Sequence, residues 1–161
     1  MALARIYLET TMFNFPFVDD APQYRADTLQ LFDEIKAGKF EPYTSEYVVR
    51  ELNNTKEGKR KNDMIQLLAD CGAVILQQGE EIERLASIYV AEGIIPAAYE
   101  TDALHIAAAT VNRLDFIVSL NFQHIVKQKT IEKTEIINYR IGYKKIGIYI
   151  PAEVINYDEN P

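Results

Sequence analysis

Three acidic side chains stand where a divalent cation could use them: Glu9 follows the first apolar run, Glu51 sits in an early helix, and Asp102 opens an almost wholly apolar one. Carboxylates gathered from separate segments suit oxygen-seeking divalent ions and the hydrolytic chemistry such ions support. Asn121, just past a later apolar run, offers a neutral polar group at a fourth place. Thr10 and Thr11 follow Glu9, and their hydroxyls either orient its carboxylate or touch phosphate, or else serve a turn. Each acid also has an ordinary reading: helix capping for Asp102, a solvated face for Glu51 and a strand-end turn for Glu9. Their joint appearance favours a shared metal site.

Helical angle decides which side chains look inward, at about 100° per residue. Measured from Glu46, Glu51 falls between Tyr47 and Val48, on the flank of the Val48/Leu52 stripe, while Glu46, Arg50 and Asn53 point elsewhere. Asp102 projects between Ile106 and Ala109 among small and apolar neighbours, an expensive place for a carboxylate without a positive partner. His105 lies about 60° round the same helix, toward Thr101 and Asn112, and reads as a hydrogen-bonded structural histidine rather than a ligand. His124 either contacts phosphate or caps the turn after Asn121. Cys71 and the two histidines lack zinc-site spacing, no Gly-rich phosphate loop follows Glu9, and the run before Gln77 carries no phosphoacceptor aspartate.

These residues need elements to hold them. Ile6–Leu8, Pro42–Thr44, Ala73–Leu76 and Phe116–Ser119 read as strands, and Tyr24–Lys36, Ser45–Leu52, Lys61–Asp70, Glu80–Ala91 and Thr101–Asn112 as helices. Pro96 restarts the chain before the last of these. Strands that are near-continuous apolar runs alternating with helices predict an α/β fold: a three-layer α/β/α sandwich with a mainly parallel central sheet of four to five strands. In such sheets ligands bind beyond the carboxyl ends of the strands, where Glu9 and Asn121 fall. A C-terminal extension from about residue 127 carries an edge strand over 146–150, ended by Pro151.

With 161 residues and no repeat or linker, the chain reads as a single domain over 1–161. No stretch of about 18 apolar residues and no cleavable leader is visible, which predicts a cytosolic protein without membrane contact. The lone cysteine, Cys71, excludes an internal disulfide and reads as packing. A net charge of −7 weighs against nucleic-acid binding. The basic residues are bunched, however, with Lys56, Lys59, Arg60 and Lys61 after Glu51, and Lys127, Lys129, Lys133, Arg140, Lys144 and Lys145 after Asn121. A bound cation also inverts the local sign of an acidic pocket. Solvated loop lysines are the other reading of both runs.

The block Asp102-Ala-Leu-His-Ile-Ala-Ala-Ala, followed by Asp115-Phe-Ile-Val-Ser-Leu-Asn-Phe-Gln-His-Ile, resembles the PIN-domain ribonucleases, and among them the VapC-like toxins of toxin–antitoxin pairs. Arg5-Ile-Tyr-Leu-Glu-Thr-Thr and Thr44-Ser-Glu-Tyr-Val-Val-Arg-Glu-Leu extend the resemblance over most of the chain. It implies that Glu9 and Asp102 are direct ligands of one or two Mg²⁺ or Mn²⁺ ions, with Glu51 binding directly or through water. Asn121 would hold water or substrate phosphate, and the chemistry would be hydrolysis of RNA phosphodiesters. It further implies an antitoxin partner and homodimerisation. Two departures are visible: the family usually has Asp where Glu9 stands, and an acid where Asn121 stands. They motivate the alternative of a catalytically impaired PIN-like domain that binds RNA or protein. A metal-dependent nuclease acting on DNA or structured RNA is a further alternative.

Overall fold

A computed structural model describes residues 2–155; Met1 and 156–161, the two ends of the expected single-domain span, lie outside the described residues. The chain runs β1 (Ala4–Leu8), α1 (Thr11–Asn14), α2 (Pro22–Lys36), β2 (Phe40–Ser45), α3 (Glu46–Asn53), α4 (Gly58–Asp70), β3 (Val74–Leu76) and α5 (Glu80–Ala91). It continues through α6 (Glu100–Val111), β4 (Phe116–Val118), α7 (Gln128–Ile141), β5 (Gly147–Tyr149) and α8 (Pro151–Val154). Short 3₁₀ turns at Phe15–Phe17 and Ala97–Tyr99 join α1 to α2 and lead into α6.

The five strands form one sheet in the order β3-β2-β1-β4-β5, every pairing parallel, with helices on both faces. The predicted three-layer α/β architecture is therefore the observed one, and the strand near the C-terminus takes the edge position expected of it. Burial on both faces explains why the central strands carry unbroken apolar runs: Ile6, Tyr7 and Leu8 of β1 and Ile117 and Val118 of β4 are fully inaccessible. Each such aliphatic side chain contributes about 1.5–3 kcal/mol of transfer free energy. Pro42 is tolerated in β2 because β3 joins only from Tyr43 onward, so that part of the strand has a single neighbour.

Chain direction sets the functional geography. The order reverses between β1 and β4: β2 and β3 extend the sheet to one side of β1, and β4 and β5 to the other. Leu8 of β1 pairs with Val118 of β4. One step further, Glu9 and Ser119 stand opposite each other at the strand ends, with Glu9 N–H donating to Val118 O at 3.2 Å. On the other flank Tyr7 pairs with Tyr43, and the Thr44 hydroxyl donates to Leu8 O at 3.0 Å. Ser45 closes β2 and caps α3, its Oγ accepting from Val48 N–H at 3.4 Å. α6 packs along α5 and is buried from Ala103 to Thr110, which explains its lack of a polar face.

The segment after residue 127 departs from expectation, since it holds a full helix, α7, besides the edge strand. Its buried face carries a polar stripe beside Ile137: Thr130, Thr134 and Asn138 repeat every four residues and point inward, while Ile136, Tyr139 and Ile141 are exposed. Asn138 is satisfied by the Tyr89 hydroxyl, which donates to its Oδ1 at 2.5 Å, beside Thr110 of α6. Gly142 ends α7 with φ of 98°, a left-handed cap that suits glycine.

Candidate metal centre

Glu9 projects from the end of β1 into the crevice at the reversal of strand order and is almost fully buried. Three donors converge on its Oε1: the Thr11 hydroxyl at 2.6 Å, the Ser119 hydroxyl at 2.6 Å and the Thr11 backbone N–H at 3.3 Å. Thr11 is itself pinned, its Oγ1 accepting from Leu120 N–H at 2.8 Å. Burial pushes the Glu9 carboxyl above its usual range, and the charge of His105 and the two hydroxyl bonds offset only part of that rise.

Glu51, in the last turn of α3, reaches the same crevice from the other flank, as its helical angle predicts. Its Oε1 accepts from the Thr10 hydroxyl at 2.6 Å and from His105 Nε2 at 2.5 Å. Partial burial raises the Glu51 carboxyl, but the hydrogen bond and charge of His105 together outweigh it and hold the group below its usual range. His105 is fully buried, and its Nδ1 lies 2.7 Å from the Tyr7 hydroxyl, which in turn sits 2.6 Å from Ser45 Oγ. Burial opposes the imidazolium, yet the hydrogen bond and charge of Glu51, then the charges of Glu9 and Asp102, prevail and raise its pKa. In that state Nε2–H donates to Glu51 and Nδ1–H to the Tyr7 oxygen, so the Tyr7 O–H points to Ser45.

One ligand atom from each of Glu9, Glu51 and His105 can be chosen so that all lie within 4.8 Å of one another. Two carboxylates at that separation repel by about 3 kcal/mol at an effective dielectric near 20, before solvent screens the half-exposed Glu51. The imidazolium between them relieves this repulsion and occupies electrostatically the place a metal cation would take. Two carboxylates with one imidazole fit a divalent first-row ion such as Mn²⁺, and Mg²⁺ less well, because the nitrogen donor is the softer partner.

The other residues singled out from the sequence lie around this cluster. Asp102, in the first turn of α6, has found the positive or donor partner its surroundings demanded: His124 Nδ1 lies 2.9 Å from its Oδ2. His124 is buried and packs against the Tyr99 ring, tilted by 38° with 4.1 Å between centroids. Asp102 is thus held by His124, and it is His105 that joins Glu9 and Glu51. Asn121 shapes the turn after β4, its Oδ1 accepting from His124 N–H at 3.0 Å and its own N–H donating to Ser119 Oγ at 2.9 Å. Thr10 and Thr11 orient Glu51 and Glu9 respectively. Of the two basic runs, the second is ion-paired in its latter half, through Arg140 with Glu92, Lys144 with Asp115 and Lys145 with Glu135. The first begins beside the cluster, where Arg60 and Thr10 line a common cavity.

Ser119 and Tyr7 were not singled out from the sequence. The signal for Ser119 was present: in a parallel pair the residues just beyond both strand ends face each other, which places a hydroxyl opposite Glu9. Replacing Ser119 with Ala leaves the Asn121 N–H and the Glu9 oxygen each one partner short, and is expected to lower stability by about 1–3 kcal/mol. Urea denaturation checks this, and a loss below about 0.5 kcal/mol, the range of an ordinary surface change, would refute the clamp.

No family model matches the sequence, and no curated protein matches it in sequence. The fold is nonetheless PIN-like. It is similar to a chain of VapBC2 from Rickettsia felis, solved bound to a DNA fragment from their promoter, with a TM-score of 0.55 and 12% identity over 91% of this chain and 98% of that one. Among the described residues no helix is long and apolar enough to cross a membrane.

Proposed function

We propose that the protein is a metal-dependent endoribonuclease, the toxin of a toxin–antitoxin pair. The observation that carries this reading is the buried convergence of Glu9, Glu51 and His105 at the reversal of strand order, where a parallel α/β sheet binds its ligands. Mn²⁺ or Mg²⁺ held there supplies charge neutralisation for a phosphodiester and an acidified water. Glu9 and Glu51 are the carboxylates that hold the ion, and Asp102 contributes from the adjoining turn of α6. Thr11 and Ser119 fix Glu9, Thr10 fixes Glu51, and His124 fixes Asp102, so the ligands need little reorganisation when a cation arrives. With a cation bound, the imidazolium charge of His105 would oppose the ion, so the neutral imidazole would be the form compatible with metal. Asn121 holds the turn that presents His124, and contact of either residue with substrate phosphate is part of the proposal. The similarity to a chain of VapBC2 supports an antitoxin as partner, and assembly as a homodimer is part of the same proposal.

The test is cleavage of single-stranded RNA by the purified protein with Mn²⁺ or Mg²⁺, with DNA assayed alongside. RNA should be cut, EDTA should stop the reaction and DNA should stay intact. Intact RNA under all metal conditions would end the nuclease reading. Calorimetric uptake of Mn²⁺ without cleavage would favour the catalytically impaired binding domain that Glu9 and Asn121 suggest.

A further inference from the structure

Arg60 stands at the margin of the acidic cluster, lining a cavity with Thr10 and Thr11. Its guanidinium is held rigidly but by neutral groups: Nη1 donates to Asn14 Oδ1 at 2.8 Å and Nη2 to Phe17 O at 2.9 Å. Those bonds use two of the five N–H donors of an arginine, and no ion pair of Arg60 occurs among the described residues. Its neighbour Lys59 differs, being 84% exposed and paired with Asp63 at 3.0 Å. Arg60 lines a cavity of about 520 Å³ together with Thr10, Thr11, Thr55 and Glu57. Thr10 and Thr11 are the residues that orient Glu51 and Glu9, so this cavity and the candidate metal centre share a wall. The one acid in the lining is turned away from the guanidinium's role: the Glu57 carboxylate accepts the backbone N–H groups of Lys59 and Arg60 at 2.9 and 2.7 Å, capping α4.

From these contacts we infer that the cavity between α1 and the start of α4 is a phosphate subsite, in which Arg60 grips the RNA backbone beside the bond to be cut. This rests on the nuclease reading for the identity of the ligand. A fixed planar guanidinium with free donors matches two phosphate oxygens at once, and the Thr55 hydroxyl, with no partner among the described residues, stands ready as a further donor. In a chain of net charge −7, one preset cation at the site's margin supplies local attraction that the overall charge denies.

The test is fluorescence anisotropy of a short labelled single-stranded oligoribonucleotide with the metal-free protein in EDTA, over a range of salt. Arg60→Gln should weaken binding at least about tenfold and make the plot of log K against log salt shallower by about 0.7, one phosphate contact. Lys59→Gln removes the same charge one residue away and should bind nearly as the wild type does. Thr55→Asp sits on a half-exposed turn and leaves the Arg60 anchors intact; it should weaken binding as much as Arg60→Gln does, and it decides the matter if Arg60→Gln fails to fold. Equal binding by Thr55→Asp and wild type, or equal losses in Lys59→Gln and Arg60→Gln, would overturn the subsite. RNA that is bound and cut by the wild type but held equally by these variants removes the subsite and spares the nuclease reading. Arg60-dependent binding without any cleavage does the reverse.

Discussion

Glu9→Gln is expected to lower metal-dependent RNA cleavage by a hundred- to a thousandfold while leaving thermal stability unchanged or higher. The two effects separate because they have different origins. The amide keeps the oxygen that Thr11 and Ser119 bond, so the fold around β1 loses no partner. What disappears is a full charge beside the cation, worth on the order of 3–4 kcal/mol at short range in a partly buried site, or two to three decades in rate. Stability moves the other way because burial raises the Glu9 pKa: the ionised form is disfavoured on folding, and the neutral amide escapes that cost. Cleavage assays and a thermal melt on the same preparation check both halves. Activity within a few fold of wild type would remove Glu9 from the metal centre. Glu9→Asp asks the complementary question, since shortening the side chain by one methylene shifts the carboxylate by about 1 Å, enough to change rate on the order of a hundredfold.

The pH dependence of the metal-free protein is the second large effect. His105 is raised from its ordinary 6.5, so the stability it contributes is fully present below about pH 6.5 and is lost as pH rises through its higher folded value. Glu51 is lowered from 4.5, so its contribution is present above that value and is lost as pH falls through the lower folded one. Glu9 is raised and therefore stabilises at low pH, losing that contribution as pH climbs through its folded value. Each unit of displacement for a buried group corresponds to about 1.4 kcal/mol. Melting temperatures in EDTA should therefore decline on the alkaline side of pH 6.5, and His105→Gln should flatten that limb. A limb that survives His105→Gln unchanged would show that the imidazolium does not hold the acids together. Mn²⁺ should bind more tightly as pH rises, since it displaces the His105 proton.

Much of the fold was legible because it rests on strong local signals. Apolar runs in β1 and β4 declared strands buried on both faces, and the near-featureless apolar stretch of α6 declared a helix with no solvent side. Glu51 could be chosen over Glu46 from helical angle alone, and in the structure Glu46 accepts from Gln78 N–H while Glu51 faces the cluster. α7 escaped because its inward side carries a stripe of Thr130, Thr134 and Asn138 beside Ile137 and its outward face carries Ile136 and Tyr139, which blurs the hydropathy pattern on which helix recognition depends. The partners that make that stripe tolerable, Tyr89 and Thr110, come from α5 and α6 and are invisible locally. The cluster was half visible for the same reason. Carboxylate positions follow from strand ends and helix faces, whereas the role of His105 depends on Tyr7 and Glu51 converging on its two ring nitrogens from other elements. Asp102 was assigned a need for a counter-group, and His124 meets it from across the turn after β4.

The clamp on Glu9 joins residues 110 positions apart. A chain still being synthesised carries Glu9 early, yet it has no Ser119 to hold that carboxylate and no β4 to complete the crevice until most of the polypeptide has emerged. Non-local pairings of this kind form late and together. Competence should therefore switch on abruptly at the end of synthesis, and on the proposed ribonuclease reading a nascent fragment would spare the messenger from which it is being translated.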